Sequence, residues 1–116
     1  MNDSNSETII KAVVYKIDST KYSYIYYIKN KELKSGIFVK EKKCLLKTKS
    51  KRITVGKKYM FFLQKTIYTG NFNVDKDIIN IDNEKQIVGD KTNIIFEDCL
   101  NVCGNYIDER KEVFKH

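Results

Sequence analysis

IIKAVVYKIDSTKYSYIYYIK, residues 9–29, is the stretch that decides the fold of this chain. Its first part, residues 9–17, is rich in β-branched side chains and places apolar groups on both faces of a two-residue period, which is typical of a strand in a barrel or a covered sheet. Residues 18–21 are turn-forming, and residues 22–29 alternate aromatic with other side chains. The stretch therefore predicts two strands joined by a short hairpin.

Further strands are predicted downstream of the hairpin. A turn ending in Gly36 precedes a short third strand at 37–39, and the apolar run YMFFL at 59–63 indicates a central strand. Residues 64–83 are predicted to form a long loop that contains an edge strand at 78–81. Residues 87–89 are predicted to form a last short strand. Five or six strands in a chain of 116 residues favour one small closed barrel over a sandwich.

The apolar pattern changes period after residue 93. Large side chains then recur at spacings of four and three, which is typical of one face of an α-helix; they are Phe96, Leu100, Cys103, Ile107, Arg110 and Phe114. The predicted fold is mainly β, a small OB-like barrel of five or six strands with a C-terminal α-helix. We expect a disordered tail at 1–8 and a single domain at 9–116.

The positive charge of the chain is concentrated in one segment. The chain carries a formal charge of +7, whereas residues 40–58 hold nine basic residues against Glu41 alone and so carry +8. The basic residues are Lys40, Lys42, Lys43, Lys47, Lys49, Lys51, Arg52, Lys57 and Lys58. Such a cluster predicts binding of a polyanion, which could be a sulfated glycosaminoglycan, nucleic-acid phosphate or an acidic protein surface.

Three stretches together resemble a known family. They are ELKSG at 32–36, Cys44 followed by VGKKYMFF at 55–62, and QIVGDKTNIIFED at 86–98. In this order they are similar to the netrin-like (NTR) domain, an OB-type barrel found in netrins, in complement components and in tissue inhibitors of metalloproteinases. The chain departs from the family in having fewer cysteines and none before Cys44.

The NTR resemblance implies a secreted, non-catalytic binding module. Domains of that family bind heparin-like chains and protein partners, and disulfides join their barrel to the C-terminal segment. Tissue inhibitors chelate the zinc of a metalloproteinase through an N-terminal cysteine, which Met1 cannot reproduce. Inhibition of a protease through another surface, or action as a decoy for a host protein, remains an alternative.

The three cysteines leave the redox compartment open. An odd number fits either reduced thiols or one disulfide plus a spare thiol. A disulfide from Cys44 to either Cys99 or Cys103 is one interpretation, and buried free thiols are another. A zinc site drawn from the cysteines and His116 has poor ligand spacing, so we expect no metal.

An aromatic platform supports a competing function. Tyr22, Tyr24 and Tyr26 share one strand face, and OB barrels that bind single-stranded nucleic acid stack bases on such rings. The alternative is that the rings fill the barrel with their hydroxyls toward solvent. The first interpretation predicts a cytoplasmic nucleic-acid-binding protein.

Catalysis has little support in the sequence. The single histidine is the last residue, and no nucleophile elbow, glycine-rich phosphate loop or histidine-based metal motif is present. No stretch approaches the length of about 20 apolar residues that a membrane span needs. We therefore expect neither an enzyme nor a cofactor nor a membrane span.

Overall fold

The computed structural model describes residues 7–31, 35–44, 51–64, 77–89 and 93–109. The strands within these ranges are β1 (Glu7–Ser19), β2 (Ser23–Lys29), β3 (Gly36–Glu41), β4 (Lys51–Arg52), β5 (Lys58–Gln64), β6 (Asp77–Ile81), β7 (Lys85–Gly89), β8 (Ile94–Ile95), β9 (Val102–Cys103) and β10 (Tyr106–Ile107). The predicted mainly β class is confirmed. The first six residues of the predicted disordered tail lie outside the described residues, and β1 begins at Glu7.

The main sheet has five strands in the order β5-β1-β2-β3-β8. Its centre is the long strand β1, whose first half pairs with β5 and whose second half pairs with β2, both antiparallel. The two pairings meet at Val13, and a bulge between Val14 and Lys16, just inside the half that pairs with β2, allows the strand to bend. β8 runs parallel to β3, so the chain returns to the sheet after a long connection.

Residues 94–100 link the two ends of this strand order. The N–H of Phe96 donates to the carbonyl of Ile37 in β3 over 2.9 Å. A few residues later the chain bonds to β5 instead, because the N–H of Gln64 donates to Asp98 over 2.9 Å and the N–H of Leu100 donates to Phe62 over 2.8 Å. The closed barrel remains a prediction, since the sheet itself is open between β5 and β8.

The main core lies on one face of this sheet. Alternate residues of each strand point the same way, so β-branched and aromatic side chains from β1, β2, β3 and β5 meet there. The buried members from these strands are Ala12, Val14, Tyr26, Ile28, Phe38, Tyr59, Phe61 and Leu63. Tyr26 stacks on Phe38 with ring centroids 5.0 Å apart. The aromatic character of β2 thus stabilises the core.

The hairpin of β6 and β7 covers part of the other face. Its turn, Asp82-Asn83, has positive φ at both residues, 53° and 57°, which suits the two residue types that tolerate this backbone best. Isoleucines of the hairpin pack on Ile25, Ile37 and Ile95. The predicted edge strand at 78–81 lies within β6. The predicted strand at 87–89 pairs with β6 rather than with the main sheet.

The predicted C-terminal helix is wrong for the described part of its range. Residues 93–109 form β8, β9, β10 and turns, and no helix occurs anywhere in the described residues. The backbone groups of this segment bond to β3 and β5, and to each other across the β9–β10 hairpin, instead of forming helical turns. Gly104, with φ of 61°, adds a hairpin turn between β9 and β10. Arg110 and Phe114 of the predicted helical face lie outside the described residues.

Candidate functional site

The structure divides the basic segment of residues 40–58 among several elements. Lys40 lies in β3, Lys51 and Arg52 form β4, and Lys58 begins β5. Lys47 and Lys49 fall outside the described residues. The remaining described members, Lys42, Lys43 and Lys57, flank β3 and β5 and are exposed.

Lys40 is held by partners within the chain. Its ammonium group contacts Oδ1 of Asp98 at 2.6 Å and donates to the carbonyl of Cys99 over 3.1 Å. Only 18% of the side chain is exposed, so an incoming anion would have to replace a partner that is already in place. That Lys40 contacts a polyanion stays a prediction; in the structure this lysine ties β3 to the segment after β8.

Two further lysines of the segment have local partners. The ammonium group of Lys42 lies 5.4 Å from the ring centroid of Tyr24, and that of Lys51 lies 3.7 Å from the carboxylate of Glu109. Both contacts are at the surface and are weak. The ion pair with Glu109 reduces the positive potential at β4 without removing it.

The predicted aromatic platform is not available for stacking as a unit. Tyr26 is fully buried, and its hydroxyl donates to the carbonyl of Gly104 over 2.7 Å. Burial also raises the pKa of this phenol well above its usual range. Tyr24 is half-buried beside it, and Tyr22 is 61% exposed but lies before β2 begins. The interpretation in which the rings fill the core holds for Tyr26.

A disulfide joins Cys44 to Cys103, with Cα atoms 5.5 Å apart. It connects the end of the β3 region to the β9–β10 hairpin. Cys99 is the free cysteine; burial raises the pKa of its thiol to about 12, and its sulfur donates to Oδ1 of Asn101 over 3.3 Å. A buried, protonated thiol is a poor nucleophile, so Cys99 belongs to the core.

A groove runs along the first half of β1. Its volume is about 750 Å³, and we call it the lysine groove. Lysines converge on it from three elements, and the lining residues are Ile9, Ile10, Lys11, Ala12, Val13, Lys29, Asn30, Lys31 and Lys58. Lys58 alone among the groove lysines belongs to the basic segment identified in the sequence.

The electrostatics of the lysine groove favour an anion. Its four lysines are exposed, and no carboxylate occurs among its described lining residues. A neighbouring cavity of about 370 Å³ shares Lys11 and Lys58 and includes Glu109, so the positive region ends on that side. The ammonium group of Lys29 lies 5.2 Å from the ring centroid of Tyr15, and this contact leaves the lysine charge at the surface. Like charges brought together around one concavity concentrate the positive potential inside it.

Sequence analysis missed the lysine groove because its residues are far apart in the chain. Lys11, Lys31 and Lys58 do not form a charge cluster in the sequence. The predicted hairpin of the first two strands contained the information needed to find the groove. A register in which Val13 lies opposite Lys29 would place Lys11 opposite Lys31, so pairing the two predicted strands would have shown the convergence.

The described residues contain no group of three or more histidine, cysteine, aspartate or glutamate side chains arranged to hold a metal ion. Within the same ranges no helix has the length and apolar character of a membrane span. Comparison with known proteins gives no match, whether with protein-family models, with curated proteins or with solved structures.

Proposed function

We propose that this chain is a non-catalytic binding module that docks an anionic macromolecular partner in the lysine groove. The convergence of Lys11, Lys29, Lys31 and Lys58 on one concave surface carries the proposal. Each exposed lysine contributes little alone, but several acting on one polyanion give a binding free energy that depends steeply on salt. The basic segment of residues 40–58 contributes Lys58, which lines the groove.

The fold proposed for this module is an OB-type barrel related to the NTR domain. The strand order supports it, because β1 pairs with both β2 and β5 while β3 and β8 run parallel. The hydrogen bonds that residues 98–100 make with β5 support it as well, because they draw the two ends of the sheet together. The disulfide between the β3 region and the β9–β10 hairpin resembles the disulfides that join the barrel to the C-terminal segment in that family.

The compartment proposed for this module is extracellular. The Cys44–Cys103 disulfide supports this, since disulfides persist in oxidising environments and are rare where glutathione keeps thiols reduced. Sulfated polysaccharide and acidic protein surfaces are the polyanions that such a module would meet there.

The test compares two quadruple variants that remove equal charge. One replaces the groove lysines, Lys11, Lys29, Lys31 and Lys58, by alanine; the other replaces Lys47, Lys49, Lys51 and Arg52 of the basic segment. Binding of heparin oligosaccharide, poly-L-glutamate and oligothymidylate is measured over a series of salt concentrations. We expect the groove variant to lose more than about tenfold in affinity for heparin or polyglutamate and to show a shallower salt dependence.

The second variant, which we call the segment variant, removes the same number of charges and is the matched control for net charge. We expect it to keep most of the wild-type affinity, because the described members, Lys51 and Arg52, do not line the groove. Equal losses in both variants would mean that only total charge matters and would overturn the proposed site. Binding of oligothymidylate alone would support the nucleic-acid alternative instead.

A further inference from the structure

Within the described residues, the first half of β1 has one edge paired with β5 and one edge without a strand partner, which we call the open edge. The N–H of Val14 donates to Lys57 over 3.1 Å, and its carbonyl accepts from Gly56 over 2.7 Å, so the backbone of residue 14 faces the β5 side. Backbone groups alternate along an antiparallel strand, and those of Ile9 and Lys11 therefore face the opposite side. Pairing with β2 begins only at Val13.

A side chain already occupies one position of this edge. Nδ2 of Asn30 donates to the carbonyl of Lys11 over 3.1 Å at the point where β2 has ended. This contact independently shows that the backbone of Lys11 faces away from β5. Within the described part of the chain, the N–H and carbonyl of Ile9 and the N–H of Lys11 have no backbone partner.

The open edge and the lysine groove occupy the same place. Five consecutive residues of β1, 9–13, line the groove together with the residues at which β2 departs. The side chain of Ile9 is 55% exposed there, which offers an apolar contact beside the free backbone groups. An extended chain in the groove would lie where β2 would run if it continued.

We propose that an extended acidic peptide segment binds in the lysine groove as an added strand on the open edge of β1. This rests on the proposed function, and it specifies the partner as a polypeptide. Backbone hydrogen bonds with Ile9 and Lys11 provide the register, and alternating acidic side chains meet the groove lysines. A polysaccharide has no comparable row of amide groups and would use the lysines alone.

The charge of the groove selects against a second copy of the chain. Pairing of two β1 edges would bring the groove lysines of one copy against those of the other, and like charges across a strand pair are destabilising. An acidic segment meets the same lysines as opposite charges. Natural proteins also place lysines beside open edges to prevent unwanted strand pairing. The groove lysines would therefore disfavour a second copy of the chain and favour an acidic partner.

The probe is an acetylated, amidated octapeptide of alternating threonine and glutamate. Two isomers carry backbone N-methyl groups, one on every threonine and the other on every glutamate. An added strand uses only alternate amides, so one isomer should retain affinity while the other loses about tenfold or more. In hydrogen-exchange measurements the amides of Ile9 and Lys11 should slow when the unmethylated peptide binds.

Two variants of the protein test the same edge. Ile9→Pro removes the edge N–H at a residue whose backbone does not bond to β5, so the fold should persist. Ile9→Ala removes the side chain and keeps the N–H. Peptide affinity should fall about tenfold in Ile9→Pro relative to Ile9→Ala, while heparin affinity stays equal in the two variants.

The outcomes separate this inference from the proposed function. Equal affinity of the two methylated isomers, whether high or low, overturns strand addition. In that case the proposed function still holds, provided that the groove variant loses affinity for polyglutamate or heparin. A dimer of the free protein that Ile9→Pro dissolves would also overturn the inference, because the edge would then be occupied by a second copy.

Discussion

The side-chain oxygen of Asn101 accepts a hydrogen bond from the backbone N–H of Phe62 over 3.0 Å. Its amide nitrogen donates to the carbonyls of Met60 and Asp108, each over 2.9 Å. Residues 98–100 bond to β5 through their backbone, and the Asn101 side chain continues this pairing where the main chain turns away. One buried side chain thus completes the edge of β5 that faces away from β1.

Replacing Asn101 by alanine should lower the free energy of unfolding by about 3 kcal/mol or more, because it leaves several buried backbone groups without partners. Urea unfolding followed by circular dichroism measures the change. Asn80→Ala in the exposed part of β6 is the control, and its effect should stay within about 0.5 kcal/mol. Similar small effects in both variants would contradict the role given to Asn101.

Removing the disulfide should destabilise the chain strongly. The Cys44→Ser, Cys103→Ser double variant should lose about 2–5 kcal/mol of unfolding free energy, because the closed loop spans 59 residues. Mass measurement after alkylation checks the pairing without assuming a fold. The native, non-reduced protein should resist alkylation, and the denatured, non-reduced protein should take up one label, on Cys99. Three labels without a reductant would contradict the disulfide.

The buried thiol of Cys99 should make stability fall at alkaline pH. Its pKa is raised from 9.0 to about 12 by burial, so the unfolded chain loses this proton first as the pH rises. The stabilising contribution is complete below pH 9 and is lost as the pH rises toward the folded value. Relative to Cys99→Ala, the unfolding free energy of the wild type should decline by on the order of 1 kcal/mol per pH unit above pH 9. Parallel curves would contradict the assignment.

Close packing of the β6–β7 hairpin on the sheet can be tested at Gly89. A Cβ at this position would lie 2.7 Å from Cδ1 and 2.8 Å from Cγ1 of Ile95. Gly89→Ala should therefore cost about 1–3 kcal/mol in the wild-type background. In an Ile95→Ala background both clashing atoms are gone, and the cost should be smaller by about 1 kcal/mol or more. Additive effects would show that the hairpin and β8 are not in contact at this point.

Lys40 should affect stability rather than binding. Lys40→Ala removes the contacts with Asp98 and with the Cys99 carbonyl, and the unfolding free energy should fall by about 1–2 kcal/mol. Its affinity for heparin or polyglutamate should remain within about twofold of the wild type. The exposed Lys58→Ala is the comparison, because it should weaken binding without loss of stability. The reverse pattern would return Lys40 to the binding residues.

Local sequence determined the longer strands of the main sheet. β-branched and aromatic runs specify β1, β2, β3 and β5, because such side chains suit a covered sheet wherever the chain places them. Charge clustering also singled out Lys58, which lines the lysine groove. These features depend on neighbours in the chain, so they could be predicted before any long-range contact was known.

Only the tertiary structure decided the C-terminal segment and the site. The spacing of Phe96, Leu100 and Cys103 satisfies a helix, but the open edges of β3 and β5 offered backbone partners that outweighed the local pattern. The partners of the Lys40 ammonium group, Asp98 and the carbonyl of Cys99, lie 58 and 59 residues away in the chain. The lysine groove exists because the bend of β1 and the departure of β2 bring distant lysines beside an unpaired strand edge, a juxtaposition that depends on the folded path of the chain.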